Sequence, residues 1–193
     1  MNKQANDKII KTLKEKFEMM ESLDKDVVIF CDMDGVLAQW EPGCTYERTW
    51  EPHYFLNRDL EQSVKEALLL LVDAGFPVCI LSAAYMNGIA EVDKTNWLDN
   101  NGMEILDRMF VPCGRNKADF VRSEEGTNYI LLDDYNPNLI SWRNENRPGS
   151  KFAAVKFLNG LNGNSGDWDG PTIHYHSSGE VIANTLADMA VMM

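Results

Sequence analysis

The sequence predicts an α/β fold in three layers, with a mostly parallel sheet of five strands or slightly more covered by helices on both faces. Three observations point there. Short, nearly unbroken apolar runs recur along the 193 residues, helical patterns separate them, and several runs stop at aspartate or serine instead of at a turn residue. Strands buried on both faces read as continuous apolar runs, and alternation with helices implies right-handed βα units. One domain over 1–193 accommodates the whole pattern, because no repeat and no linker divides it.

Taken in order, the first element is an amphipathic helix within 1–26, where Ile9, Ile10, Leu13, Phe17 and Met20 fall at helical spacing among lysines and glutamates. Its apolar face either covers the sheet or meets a second subunit in a homodimer. Val27 to Cys31 is then a buried strand that runs into Asp32-Met33-Asp34-Gly35-Val36-Leu37. An irregular insert at 38–58 follows, holding Trp40, Tyr46, Trp50, Tyr54 and Phe55 around Pro42, Gly43 and Pro52, and reads as a short flap.

From Leu60 the set Val64, Ala67, Leu68, Leu71 and Val72 marks a helix, with Gly75 placed to end it. Pro77 to Ser82 is a second strand. A helix from about Gly88 to Asn100 presents Ile89, Val92, Trp97 and Leu98; Met109 to Pro112 is a third strand, with Lys117 just after it. Asn128 to Leu132 is a fourth strand ending in Asp133-Asp134, and Asn136-Pro137-Asn138 is expected to cap the next helix. Ala153 to Leu158 makes a fifth strand, 159–171 a Gly/Asn-rich loop, and Thr172 to Tyr175 with a helix from about Glu180 to Met189 completes the chain.

Composition narrows the partners. With 18 Lys+Arg against 30 Asp+Glu the net charge is −12, which argues against a nucleic-acid polymer laid along the surface. No apolar run is long enough to span a bilayer. Four cysteines without a C-x-x-C pair, and an N-terminus without the pattern of a secretory signal, read as reduced thiols in a cytoplasmic protein.

In a parallel sheet the strand tips bring Asp32, Asp34, Ser82, Asp133 and Asp134 to one edge, with Lys117 entering from the turn after the third strand. Two carboxylates about 4 Å apart repel by roughly 4 kcal/mol at an effective dielectric near 20. Several converging there require a cation or protonation, and hard oxygen ligands favour Mg²⁺. A metal, a lysine, a hydroxyl and a free carboxylate are the parts of phosphoryl transfer, in which an aspartate can serve as nucleophile.

These residues resemble the haloacid dehalogenase (HAD) superfamily of aspartate-nucleophile phosphatases. The D-x-D-G-[VT]-L motif is matched by Asp32 to Leu37, the strand-end hydroxyl by Ser82, the lysine by Lys117 and the acidic pair by Asp133-Asp134, in the same order and across Val27 to Leu158. The D-M-D-G-V-L-A and L-L-D-D-Y-N-P-N-L stretches look like the 5′(3′)-deoxyribonucleotidase, or 5′-nucleotidase-like, branch. The resemblance implies a Rossmann-like sandwich and an Mg²⁺-dependent phosphomonoester hydrolase acting on a small phosphorylated substrate, a (deoxy)nucleoside monophosphate. It implies Asp32 as nucleophile, Asp34 as general acid and base, and Ser82 and Lys117 as phosphoryl contacts. Asp32, the main-chain carbonyl of Asp34, and Asp133 would hold the metal, with Asp134 behind them. The interval from Leu37 to Leu60 is shorter than the helical cap of the deoxyribonucleotidases; its aromatics, Trp40 and Trp50 among them, could stack a base, and Arg48, Arg58 or Arg115 could contact substrate phosphate or base, with Arg115 taken as the candidate.

Other readings share some of these residues. An EF-hand fails from Asp32 onward at its later acidic positions and its glycine, and a receiver domain fails because its lysine follows its acidic residues. His174 and His176 lack further ligands in a recognisable array. A non-catalytic phospholigand-binding module, or a phosphatase for sugar phosphates or nucleic-acid ends, would use the same scaffold.

Overall fold

The computed structural model describes residues 3–85, 88–122, 124–162 and 165–193. Its core is a six-stranded sheet: β1 Asp26–Cys31, β2 Val78–Ala84, β3 Asp107–Pro112, β4 Thr127–Asp133, β5 Phe152–Leu158 and β6 Thr172–His174. All neighbours run parallel, in the order β3-β2-β1-β4-β5-β6. The α-helices are α1 Lys3–Glu21, α2 Gln62–Asp73, α3 Ile89–Asn100, α4 Asn136–Arg143 and α5 Gly179–Met192. Together they form the expected Rossmann-like three-layer sandwich.

Period-2 alternation explains why the strands read as unbroken apolar runs. Val27, Ile29 and Cys31 of β1, Ile130 and Leu132 of β4, and Val155 and Phe157 of β5 enter one core with α1, α2 and α5. Phe30, Tyr129, Leu131, Phe152 and Ala154 enter the other, against Leu139 and Trp142 of α4. Each face is therefore apolar, as a doubly covered sheet requires.

The apolar stripe of α1 lies on α5 and α2 within the chain, in place of the bare sheet or a second subunit, and Phe17 meets Phe76 edge-on at 5.2 Å. Gly75 does follow the end of α2; it has φ +104°, and a Cβ there would lie 3.2 Å from the Phe17 ring. The expected Asn136-Pro137-Asn138 cap is displaced. Tyr135 is the N-cap of α4, Asn136 and Pro137 are its first turn, and the asparagine side chains are directed to the buried groups Lys156 and Asp133.

The face of α3 also differs from expectation. Ile89 and Val92 are half exposed, while Ala90, Asp93, Lys94, Trp97 and Leu98 form the buried stripe, at i, i+3, i+4, i+7 and i+8. Hydrophobicity alone misses this face because two of its five members are charged. Part of the 159–171 loop (Gly163 and Asn164), Met1 and Asn2 of the N-terminal segment, and the side chain of Tyr46 lie outside the described residues.

The insert at 38–58 contains two short 3₁₀ turns, Tyr46–Trp50 and Tyr54–Asn57. Its two ends are joined to each other. Gln39 N–H donates to Asp59 O at 2.8 Å and Glu61 N–H to Leu37 O at 2.8 Å. Beyond this neck, Tyr54 and Phe55 pack with Ala84 and Ala90, so the insert leans on the exit of β2 and the start of α3. No helix of the described residues is long and apolar enough to cross a membrane.

Candidate active site

Strand order decides where the chemistry gathers. After β1 the chain crosses toward β2 and β3, whereas after β4 it crosses toward β5 and β6, so the connections leaving these two adjacent strands part and leave a crevice at their carboxyl ends. Cys31 is in register with Leu132, and Asp32 N–H continues the ladder to Leu132 O at 2.9 Å. This register sets Asp32 beside Asp133. The crevice opens into a cavity of about 650 Å³ whose lining includes Asp32, Asp34, Lys117 and Asp134.

The turn after β1 is built to expose carboxylates. Met33 O accepts from the N–H groups of Leu37 and Ala38, and Gly35 N–H returns to Ala38 O. Gly35 has φ +81°, and a Cβ on it would lie 2.3 Å from Asp134 Oδ2 and 2.5 Å from Trp40 Nε1. Glycine is required both for the backbone conformation and for the room.

Lys117, first residue of a 3₁₀ turn after β3, is 2% exposed and places its ammonium 2.9 Å from Asp32 Oδ1 and 2.6 Å from Asp133 Oδ2. Met33 N–H also donates to Asp32 Oδ1, at 2.7 Å. Both of these donors reach Oδ1, so no hydrogen bond from a described residue occupies Oδ2. Asp133 is fully buried, taking Tyr135 N–H on Oδ1 and Asn138 Nδ2 on Oδ2 besides Lys117. Asp134 reaches the same cluster, and one oxygen from each of Asp32, Asp133 and Asp134 lies within 4.8 Å of the others.

One ammonium among three carboxylates leaves the cluster short of positive charge. The Asp133 carboxyl is raised to about 6, because burial and, to a lesser extent, Asp32 push it up more than Lys117 pulls it down. Burial, followed by Asp133 and Asp32, holds Asp134 well above the ordinary range. On Lys117 burial acts downward, but the two flanking carboxylates outweigh it and raise the ammonium pKa. An oxygen-only donor set with surplus negative charge fits a metal ion. Asp134, expected behind the ligands, stands among those that could hold it.

The second half of the site is closed. Lys94, from the buried stripe of α3, is paired with Asp34 Oδ2 and donates to Ser82 Oγ at 2.9 Å and to Ala83 O at 2.6 Å, with the Phe55 ring 4.5 Å away. Its three donors are thereby used. The Asp34 side chain keeps 17% exposure toward the cavity. Burial raises its pKa, Lys94 lowers it, and Asp32 raises it again, for a net upward shift. Ser82 is fully buried beneath this pair, two residues short of the β2 terminus, and does not line the cavity. Its hydroxyl accepts from Lys94 and lies 3.5 Å from Asp34 Oδ2.

Among the expected substrate residues, Trp40 and Arg115 line the cavity, together with Thr49, Phe55 and Tyr85. Trp50 does not. It is 61% exposed and borders a neighbouring depression, edge-on to Tyr85. The four cysteines are free thiols, with Cys113 on the cavity wall. Sequence reasoning missed Lys94, whose signal was helical phase: Trp97 and Leu98 fix the inner face of α3, and residues 90, 93 and 94 share it.

No protein-family model matches the chain, and no curated protein matches it. Among solved structures it is similar to a chain of the "Structure of Pnkp1/Rnl/Hen1 complex", with a TM-score of 0.51 and 18% identity over 68% of this chain and 47% of that one. The chain thus spans about half the length of that neighbour. At this identity the likeness shows the shared α/β fold.

Proposed function

We propose that this chain is a phosphomonoester hydrolase of the HAD type, working through an aspartyl-phosphate on Asp32 with Mg²⁺ as cofactor and a nucleoside monophosphate as substrate. The observation that carries the proposal is the division of labour at the crevice. Asp32 faces the cavity with Oδ1 fixed by Lys117 and Met33 N–H and Oδ2 left to react, while Asp34, two residues on, is held by a separate lysine.

In the first step Asp32 Oδ2 forms a bond to phosphorus as the ester P–O bond breaks, and Asp34 gives its proton to the leaving oxygen. A carboxyl raised by burial is suited to carry that proton. In the second step Asp34 takes a proton from water, whose oxygen attacks phosphorus and releases phosphate and the Asp32 carboxylate. Asp32, Asp133 and Asp134 would hold Mg²⁺, which neutralises phosphoryl charge and aligns the group. Lys117 keeps Asp32 and Asp133 in register throughout.

Support for a nucleotide comes from the aromatic and cationic residues that line the cavity with the carboxylates. Trp40, Phe55 and Tyr85 offer ring faces, Arg115 adds a cation, and about 650 Å³ is ample for a small ligand. The test is a hydrolysis screen over nucleoside 5′- and 3′-monophosphates, ribo and deoxy, sugar phosphates and 5′- and 3′-phosphorylated oligonucleotides, each with Mg²⁺ and with chelator. Turnover of nucleotides that disappears with chelator, and falls by about 10⁴-fold or more in D32N, is the expected result. D32N hydrolysing at the wild-type rate refutes the mechanism. Binding without turnover across the panel would mark a phospholigand-binding module.

A further inference from the structure

The first residue after β5, Asn159, is 8% exposed, and its side chain faces two different partners on its two ends. Nδ2 donates to Gly35 O at 2.9 Å and to Asp134 Oδ2 at 2.9 Å. Oδ1 accepts the N–H groups of Leu161 at 3.0 Å and Asn162 at 2.8 Å. The orientation of the amide is fixed by this asymmetry, since a flip would set its carbonyl against two oxygens. Asn162 completes the brace. Its Oδ1 accepts Asn159 N–H at 2.9 Å, and its Nδ2 donates to Asp134 O and Phe157 O, each at 3.3 Å.

We infer that Asn159 is a positioning residue for the metal centre, clamping the Asp134 carboxylate to the loop that carries Asp32 and Asp34. The inference rests on the function proposed above. Asp134 faces two like charges, Asp32 and Asp133, within one cluster, and its exposed side borders an open cavity. Repulsion favours rotation outward. The clamp opposes that rotation at the one place where Gly35 has no side chain to obstruct the carboxylate. Neutrality of the clamp is the second part of the argument. A lysine at 159 would hold Asp134 equally well but would supply the positive charge that the cluster otherwise takes from a cation. An amide donates two hydrogen bonds and leaves the charge deficit intact.

The experiment compares Mg²⁺ affinity by titration calorimetry on the full-length chain, as wild type, N159S, D134A and N159S/D134A. A serine at 159 retains an oxygen near the Leu161 and Asn162 N–H groups and is too short to reach Gly35 O and Asp134. N159S is expected to weaken Mg²⁺ binding about tenfold or more, with kcat recovering toward wild type at saturating Mg²⁺, which a general structural defect would not allow. The double variant is expected to bind no more weakly than D134A alone, because the clamp acts through that carboxylate. Wild-type affinity in N159S, additive losses in the double variant, or a wild type with no measurable Mg²⁺ binding each overturn the inference. If N159S does not fold, N159Q, which shifts the same amide by one methylene, is judged by the same criteria. A wild type that binds Mg²⁺ yet hydrolyses no phosphate would remove the enzyme reading, leaving the affinity comparison to decide the clamp.

Discussion

Two buried lysines hold the aspartates of this crevice and do opposite things with their charge. Lys117 is shared between Asp32 and Asp133 in a cluster that Asp134 also joins, so that half of the site remains electrostatically open. Lys94 is enclosed by Asp34, Ser82 and the Ala83 carbonyl, and its half is complete without any ligand. The difference teaches that a buried ion pair is not by itself a sign of a binding site; the count of charges around it is. An incomplete cluster is poised to take up a cation, whereas a balanced one fixes the geometry of the group it holds.

The sharpest way to break this comparison is to remove each lysine. K94M and K117M each leave buried carboxylate behind, and each is expected to cost about 3–5 kcal/mol of stability in chelator, measured by denaturant unfolding. Saturating Mg²⁺ is expected to recover part of the loss in K117M and none of it in K94M, because the cluster that could hold the cation is Asp32, Asp133 and Asp134. Equal recovery in both variants would erase the distinction between the two halves. Restoring stability in K94M by the second change D34N would place the loss in the unpaired Asp34 carboxylate.

A smaller effect follows from pH. The Asp133 carboxyl titrates at about 6 in the folded chain against an ordinary 3.8, so between those values the folded state binds more protons than the unfolded one. Metal-free stability from this group therefore falls as pH rises from about 4 to 6 and stays lower above that. Protons and cations compete for the same oxygens. The rise in melting temperature produced by Mg²⁺ is expected to be larger at pH 7.5 than at pH 5, and a gain that does not grow with pH would contradict the open cluster.

The smallest effect concerns the flap. Trp40 lines the cavity and Trp50 borders its neighbour, so W40A is expected to raise the KM for a nucleotide about tenfold, in line with one stacked base, while W50A leaves it unchanged. Steady-state kinetics on the two variants decides this, and equal KM values would remove the base-stacking role.

Much of this arrangement was legible in the chain because the physics behind it is local. Val27 to Cys31 and Tyr129 to Leu132 are apolar on both faces, so their status as central parallel strands, and the carboxylates at their tips, follow from one-dimensional pattern. Lys94 was harder to read, because its signal is a helical phase with charged members. It shares the inner face of α3 with Ala90, Trp97 and Leu98, but Ile89 and Val92 on the outer face blur that phase, and only the partner at its tip justifies a charge there. Asn159 stands 124 residues from Gly35, and nothing in the spacing of a Gly/Asn-rich loop reveals which of its amides turns inward. The rank of Asp134 among the ligands depends on the rotation of one side chain, which no sequence period encodes. The bounds of the β5 and α5 elements, by contrast, differed from expectation by only a few residues.

The neck of the insert has a consequence for how such a protein can change. Leu37–Gln39 and Asp59–Glu61 are hydrogen-bonded to one another, so everything between them leaves and re-enters the sandwich at a single doorway. The entropy of closing a loop across a fixed gap grows only with the logarithm of its length, about 0.6 kcal/mol per doubling. The segment can thus lengthen, shorten or be exchanged as a cassette while the carboxylates next to the doorway keep their register. Selectivity for the organic part of a ligand can drift independently of the reaction proposed for the strand tips.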